Sequence, residues 1–343
     1  MNVLVRGAGV AGLAVAFELV SRGMAITVTD RRPSIEGSAS WFAGGMLAPW
    51  CERESAEQAV FDLGRSAADW WEAALPGHVR RNGTLVVAPP RDVGELARFA
   101  DRTMGGAIWL DEEGIARLEP ALAGRFCRGL FFPGEAHLDP REALTGLQTR
   151  LADRGVRFRL GRSDVAPADG SFDRVVDCIG DGAIGRMQGL RGVRGEMLYL
   201  HSTEIVLSRP VRLLHPRHPL YVVPRAAGRF MIGATMIESE VGGPMTVRSV
   251  MELLNAAYAL HPAFGEARLV ETGTGIRPAF ADNFPRVIVS ADAIRVNGLY
   301  RHGFLLAPAM AAEAAAELAR EAGRRDQYRR IKGEPFDEVH RQW

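Results

Sequence analysis

The chain has 343 residues, 47% of them hydrophobic and 24% charged, with 42 Lys and Arg against 41 Asp and Glu for a formal net charge of +1. That balance suits a globular protein with a large core, and it excludes the strong field that a nucleic-acid or anionic-membrane binder would carry. Cys51, Cys127 and Cys178 are spaced for neither a zinc knuckle nor a disulfide framework, so a reducing cytoplasm is the expected setting.

The first predicted element is a short apolar strand, Val3 to Val5, running into "GAGVAG". Gly7, Gly9 and Gly12 give G-x-G-x-x-G: one glycine for the tight turn, one for close approach of a pyrophosphate, one for helix packing on the strand. Leu13 to Val20 then shows a helical pattern, which aims a helix N-terminus at the phosphates. "AITVTD" reads as the next strand and ends in Asp30, placed to accept from a ribose hydroxyl. The opening therefore reads as strand-turn-helix-strand and not as a cleaved leader, with Arg6 a charged anomaly in the first strand. Asp30 repels a 2′-phosphate, which disfavours NADP and leaves NAD and FAD open.

Gly37 to Glu54, "GSASWFAGGMLAPWCERE", is rich in small residues, and Ser38, Ser40, Gly44 and Gly45 suit a chain lying against a second phosphate. "FDRVVDCIGDGA" and "AIRVNGLYRHGFLLAPAMAAEAAAELA" read as returns to the first sheet, the second ending in a long helix. A helix start near Gly303 to Ala307 would stabilise negative charge on a reduced flavin, a feature that a simple NAD dehydrogenase does not need. "RNGTLVVAPP", "GEMLYLHSTEIVLS" and "LYVVPRAAGRFMIGAT" alternate as β-strands, with "AAGR" as a hairpin turn. No apolar run approaches the roughly 18 residues of a membrane span.

Taken together, "RGAGVAGL", "AGGMLAP", "GEAHLDPREAL", "RGVRGEML", "LYVVPR", "IGATM", "GIRPAFADNFPRV" and "YRHGFLLAPA" resemble the FAD-dependent amine oxidases of the D-amino-acid oxidase superfamily, and most closely its glycine oxidase branch in thiamine biosynthesis. The resemblance covers nearly the whole chain, up to about Ala319. It implies non-covalent FAD held by Gly7, Gly9, Val10, Ala11, Gly12, Asp30 and Arg31, by Ala39, Ser40, Gly44, Gly45 and Met46, and by Val165 at the adenine. The loop Leu299, Tyr300, Arg301, His302, Gly303, Phe304 and Leu305 would wrap the isoalloxazine. It implies a substrate carboxylate held by Arg277 and Tyr221, with Arg301 and Met236 beside it. A guanidinium fork presents parallel donors that lysine lacks. Trp41 and Phe42 depart from the small residues expected there, and Trp50 and Cys51 fall close to the expected substrate mouth.

The implied fold class is α/β: a Rossmann-like FAD-binding domain (1–81, 137–192 and 273–343) interleaved with a substrate domain of antiparallel β-sheet plus helices (82–136 and 193–272). The implied reaction passes the α-hydrogen of glycine or another small amine to the flavin as hydride. The imine gives glyoxylate and ammonia, and oxygen takes the electrons to form hydrogen peroxide. None of the pocket residues named above is an acid, so no side chain is expected to act as an obligatory base. The implied partners are a small amino acid and molecular oxygen, with no nucleic acid, no membrane span, and a homo-oligomer by analogy. Two other readings stand beside this one. A dehydrogenase feeding a quinone is opposed by the missing membrane anchor. A non-catalytic flavoprotein sensor has no use for the pair Arg277 and Tyr221.

Overall fold

The computed structural model describes residues 1–161, 172–215 and 219–332, the last nine of these by backbone alone. Val165 lies outside the described residues.

The apolar opening run becomes the strand Asn2–Arg6, whose Val3, Leu4 and Val5 are fully buried. It is central in a six-stranded sheet with the order Arg286–Val289, Ile294–Asn297, Arg174–Asp177, Asn2–Arg6, Ala25–Asp30, Arg157–Leu160. All neighbours are parallel except the antiparallel hairpin that ends the sheet. Arg6 is tolerated because it closes the strand, where its Nη1 meets Asp177 Oδ2 at 3.1 Å. The helices Val10–Val20, Pro140–Asp153 and Gly303–Lys332 share one core with this sheet. Buried alanines on the first and last, Ala14 and Ala16 against Ala311, Ala314 and Ala315, let the two helices approach closely. The long helix starts at Gly303, where the sequence placed it, and runs on to Lys332.

A nine-stranded sheet forms the second layer system, with strands Thr84–Val87, Ile108–Asp111, Arg128–Phe132, Arg191–His201, Val211–Leu213, Leu220–Pro224, Arg229–Gly233, Ile237–Glu238 and Arg268–Ala279. In Arg191–His201 every residue from 192 to 200 is buried, so both faces are covered. Leu198 and Leu200 face the helix Val247–Leu260, while Met197 and Tyr199 face Phe42, Met46 and Tyr221. The expected hairpin joins Leu220–Pro224 to Arg229–Gly233. Ala227 (φ 56°) and Gly228 (φ 67°) are both left-handed, the geometry of a tight turn that matches strand twist.

The expected domain limits at 192/193 and 272/273 fall inside strands. Arg191–His201 pairs with Arg268–Ala279 from Arg191↔Ala279 to His201↔Arg268, so 191–192 and 273–279 lie in the nine-stranded sheet. "TGTGIRPA" does not look like a strand because Gly273 and Gly275 lower its propensity. Both glycines answer to close neighbours: a Cβ on Gly273 would lie 2.4 Å from Phe42 Cδ1, and one on Gly275 would lie 3.1 Å from Ala39 Cα.

Candidate active site

A cavity of about 510 Å³ opens between the two sheets. Its cofactor half begins at the glycine turn. A Cβ on Gly12 would sit 1.8 Å from Gly7 O, and one on Gly7 (φ +102°) would sit 2.3 Å from Cys178 O. These two glycines therefore shape the turn from behind, while Gly9, Val10 and Ala11 line the cavity. The helix Val10–Val20 has Gly9 at its N-cap, with no side-chain cap and no acid in its first turn. Ser40 Oγ accepts from Val10 N at 3.1 Å and brings the small-residue stretch over the turn. The second helix start, Gly303 to Leu305, opens onto the same cavity. Two helix N-termini facing one space suit an anionic cofactor, and the narrow glycine-lined path between them fits an extended dinucleotide.

Asp30 is buried behind the turn. Its Oδ2 accepts from Ala8 N at 2.7 Å and pairs with Arg32 Nη2 at 2.7 Å. Arg31 points elsewhere, to Asp181 Oδ2 at 2.8 Å, and is largely exposed. Arg32, which spacing did not single out, is the arginine that lines the cavity. Of the other residues named from the sequence, Ala39, Ser40, Gly44, Gly45, Met46 and Leu299 through Leu305 line the cavity together with Tyr221, Met236, Arg277 and Arg301. Trp50 does not. It packs on Phe61, ring centroids 4.4 Å apart, and against Gly106.

The substrate half is built on one face of the nine-stranded sheet. Arg277 reaches across Gly195, where a Cβ would lie 2.2 Å from its Cζ, and donates from Nη1 to Thr235 O at 2.9 Å. Thr235 is itself fixed by Glu196, which accepts from Thr235 Oγ1 at 3.1 Å. Among the described residues Arg277 has no carboxylate partner. Burial lowers its pKa and Arg301 adds to that, while Tyr221, Tyr300 and the more distant Glu52 oppose it without overcoming it. A guanidinium that lines a cavity and makes no ion pair of its own is a receptor for an anion. Tyr221 stands beside it, its ring fitted against Gly44 and Gly233, where added Cβ atoms would lie 2.9 Å from ring carbons. Burial raises its hydroxyl pKa, and Arg277 and Arg301 pull the other way. The phenol is therefore a hydrogen-bond donor at neutral pH.

Arg301 differs from Arg277 because it is already paired. Its Nε lies 3.0 Å from Glu52 Oε2 and its Nη2 donates to Oε1 at 3.3 Å. His302 Nδ1 lies 3.1 Å from Oε2, and Arg212 Nη1 lies 3.6 Å from Oε1. The expectation that the pocket holds no acid is thus corrected: Glu52 lines it. Burial alone would raise the Glu52 pKa, but Arg301, His302 and Arg212 outweigh it and hold the carboxyl below its usual range. A carboxylate among so many cationic neighbours is a poor proton acceptor, even though its Oε2 accepts no hydrogen bond. Glu52 escaped sequence reading because its partners come from distant segments. Arg212 escaped because a lone arginine in an apolar run carries no motif.

Comparison with known proteins agrees with this geometry. The model of the DAO family, described as FAD dependent oxidoreductase, matches residues 2–318. A Rhizobium etli chain named as a thiamine biosynthesis oxidoreductase, ThiO, is 64% identical over 94% of this chain and 98% of its own. A glycine oxidase of Geobacillus kaustophilus is 26% identical over 90% of both chains. The crystal structure of a glycine oxidase from Bacillus cereus superposes with a TM-score of 0.79 at 22% identity, covering 93% of this chain and 95% of that one, which establishes the shared fold.

Proposed function

Because the chain belongs to the DAO family of FAD-dependent oxidoreductases, we propose that it oxidises glycine, or another small amino acid, to the imine that yields glyoxylate and ammonia, with oxygen reduced to hydrogen peroxide. The observation that carries the substrate class is Arg277, a part-buried guanidinium that lines the cavity with Tyr221 and has no carboxylate partner among the described residues. The Rhizobium relative is named for thiamine biosynthesis. The same place for this chain makes the imine the product passed to thiazole synthesis.

FAD, when bound, supplies the electron chemistry by taking the hydride from the substrate α-carbon. The protein's share is placement. We assign the turn residues Gly9 to Ala11, with Asp30 and Arg32 behind them, to the dinucleotide, and the helix start at Gly303 to the developing negative charge of the ring. Arg277 and Tyr221 hold the carboxylate and so fix the α-carbon in the cavity. Glu52 holds Arg301 in the loop, which leaves carboxylate recognition to Arg277. We infer that the six-stranded sheet serves the cofactor and the nine-stranded sheet the substrate, in a cytoplasmic enzyme.

The test is aerobic turnover of the yellow holoenzyme with glycine. Glyoxylate, ammonia and peroxide should form in equal amounts. A flavin-loaded protein that consumes no oxygen with glycine, sarcosine or small D-amino acids would overturn the reading.

A further inference from the structure

The motif "RGVRGEML" places two charges, Arg194 and Glu196, in a strand whose residues 192 to 200 are all buried. Neither is among the residues that line the cavity. Alternation along the strand puts both on the face that Leu198 and Leu200 turn to the helix Val247–Leu260, while Gly195, between them, faces Arg277 and the cavity. Among the described residues the guanidinium of Arg277 makes one hydrogen bond to the protein, from Nη1 to Thr235 O at 2.9 Å. What fixes Thr235 therefore fixes Arg277.

Thr235 lies between the strands Arg229–Gly233 and Ile237–Glu238, outside both. Glu196 holds it there at three points. Thr235 N donates to Glu196 O at 3.2 Å, Glu196 N donates to Thr235 Oγ1 at 3.0 Å, and Thr235 Oγ1 donates to Glu196 Oε2 at 3.1 Å. The other carboxylate oxygen is fixed in turn: Glu196 Oε1 accepts from Arg194 Nε at 2.8 Å and from Nη2 at 2.6 Å. The remaining donors of Arg194 go to carbonyls of the loop 241–244, with Nη1 2.8 Å from Val241 O. Burial would raise the Glu196 pKa, but hydrogen bonds from Ser249, Arg194 and Thr235 outweigh it, so the side chain is a carboxylate at neutral pH. Apolar residues of similar size would stabilise such a strand as well as a buried ion pair does. The use of the pair here is geometric, because a network with every member hydrogen-bonded admits one arrangement.

We propose that Glu196 is a positioning residue for the substrate carboxylate: from the far face of the sheet it sets Thr235, whose carbonyl sets the Arg277 guanidinium. The inference rests on the carboxylate role given to Arg277 above. A guanidinium fork meets a carboxylate in one plane, and a fork left free to swing must be ordered each time a substrate arrives. Thr235 O orients one arm of the fork, Gly195 leaves room for it, and Glu196 keeps Thr235 from shifting. The role also accounts for threonine at position 235, whose hydroxyl accepts from Glu196 N and donates to Glu196 Oε2. Serine meets that need, and valine, of the same shape as threonine, does not.

The test is a double-mutant cycle. Methoxyacetate, a one-carboxylate acid with no amine to oxidise, is titrated into the holoenzyme while the flavin absorbance is followed. Thr235→Val keeps the shape and the carbonyl and removes the hydroxyl. It should weaken methoxyacetate about tenfold with flavin content unchanged, and Thr235→Ser should bind like the parent. In an Arg277→Ala background Thr235→Val should change the affinity by less than about twofold, because the guanidinium it acts through is gone. Replacing Arg194 and Glu196 together by methionine removes the pair without stranding a charge, and this second entry to the cycle should give the same loss and the same coupling. It decides the question if Thr235→Val fails to hold flavin. Loss of flavin in both overturns the proposal, because the cluster then builds the fold at large. Parent-like binding by either flavin-loaded variant overturns it. So does a loss of equal size in the Arg277→Ala background, or a loss that Thr235→Ser shares. If glycine bleaches the parent flavin and the cycle shows no coupling, only the positioning role fails. If glycine leaves the parent flavin oxidised and methoxyacetate does not perturb it, the amine-oxidase reading fails and the positioning role falls with it.

Discussion

Arg277 works because of a neighbouring strand residue that has no side chain. Gly195 leaves the lane through which the guanidinium crosses the sheet, and a methyl group there would clash with it, 2.2 Å from Arg277 Cζ. Gly195→Ala should therefore behave like a partial loss of Arg277. The KM for glycine should rise by about 10–150-fold, the range for losing one charge-assisted partner, with FAD content unchanged. Steady-state kinetics on the yellow protein checks this, and an unaltered KM would show that the lane is not needed. Tyr221→Phe should cost less, roughly 0.5–1.5 kcal/mol for one neutral hydrogen bond, with flavin reduction still measurable. A loss of several thousandfold at Tyr221→Phe, with FAD bound, would mean that the phenol moves a proton and is not only a donor. Arg277, Tyr221, Arg301 and Met236 were legible from motif context and the cavity gathers all four. What the sequence could not reveal was which arginine is free. That depends on Glu52, 249 positions from Arg301 in the chain.

The glycine turn was the most legible part of the fold because its logic is local: the backbone positions that need glycine lie within one turn of each other. Gly12 is the tightest of them, with Gly7 O already 1.8 Å from where a Cβ would be. Gly12→Val should push the helix Val10–Val20 off the strand Asn2–Arg6. Overpacking of this kind typically costs about 1–3 kcal/mol, and here it also displaces the phosphate-facing N–H groups. The purified variant should carry little flavin and melt at lower temperature than the parent, by absorbance and thermal scanning. Full flavin content would place the cofactor away from this turn. The strand Arg268–Ala279 was less legible for a related reason. Gly273 and Gly275 weaken its local propensity, while long-range pairing with Arg191–His201 along its length supplies the order.

The molecule as a whole buries ionisable groups where the two sheets meet, and these should shape its pH response. Burial pushes Glu135 up from 4.5 to about 7, against the hydrogen bonds it accepts, one of them from Cys51 N at 2.7 Å. The folded state therefore holds this proton more tightly than the unfolded chain does. Its contribution is fully present below pH 4.5 and is lost as pH rises through about 7. The loss is about 3 kcal/mol at 1.36 kcal/mol per pH unit. Burial, with Arg225, Arg80 and Arg209, pulls His137 down to about 3, so its effect has the opposite sign, stability rising with pH from about 3 to 6.5. The two oppose each other in acid, so the test is a difference. Glu135→Gln, which keeps the acceptor for Cys51 N, should gain on the parent by about 3 kcal/mol between pH 4.5 and 7. Thermal unfolding at several pH values reads that difference, and parallel curves would contradict it.

The central claim is that a bound flavin takes electrons from a small amino acid whose carboxylate is held by Arg277. The most direct measurement is anaerobic stopped-flow mixing of the holoenzyme with glycine, followed by the flavin absorbance, in the parent and in Arg277→Ala. Bleaching should saturate with glycine in the parent. In the variant it should need about 10–150-fold more glycine, with the flavin still bound. A parent flavin that stays oxidised at saturating glycine, or a variant that bleaches over the same concentration range as the parent, would contradict the account.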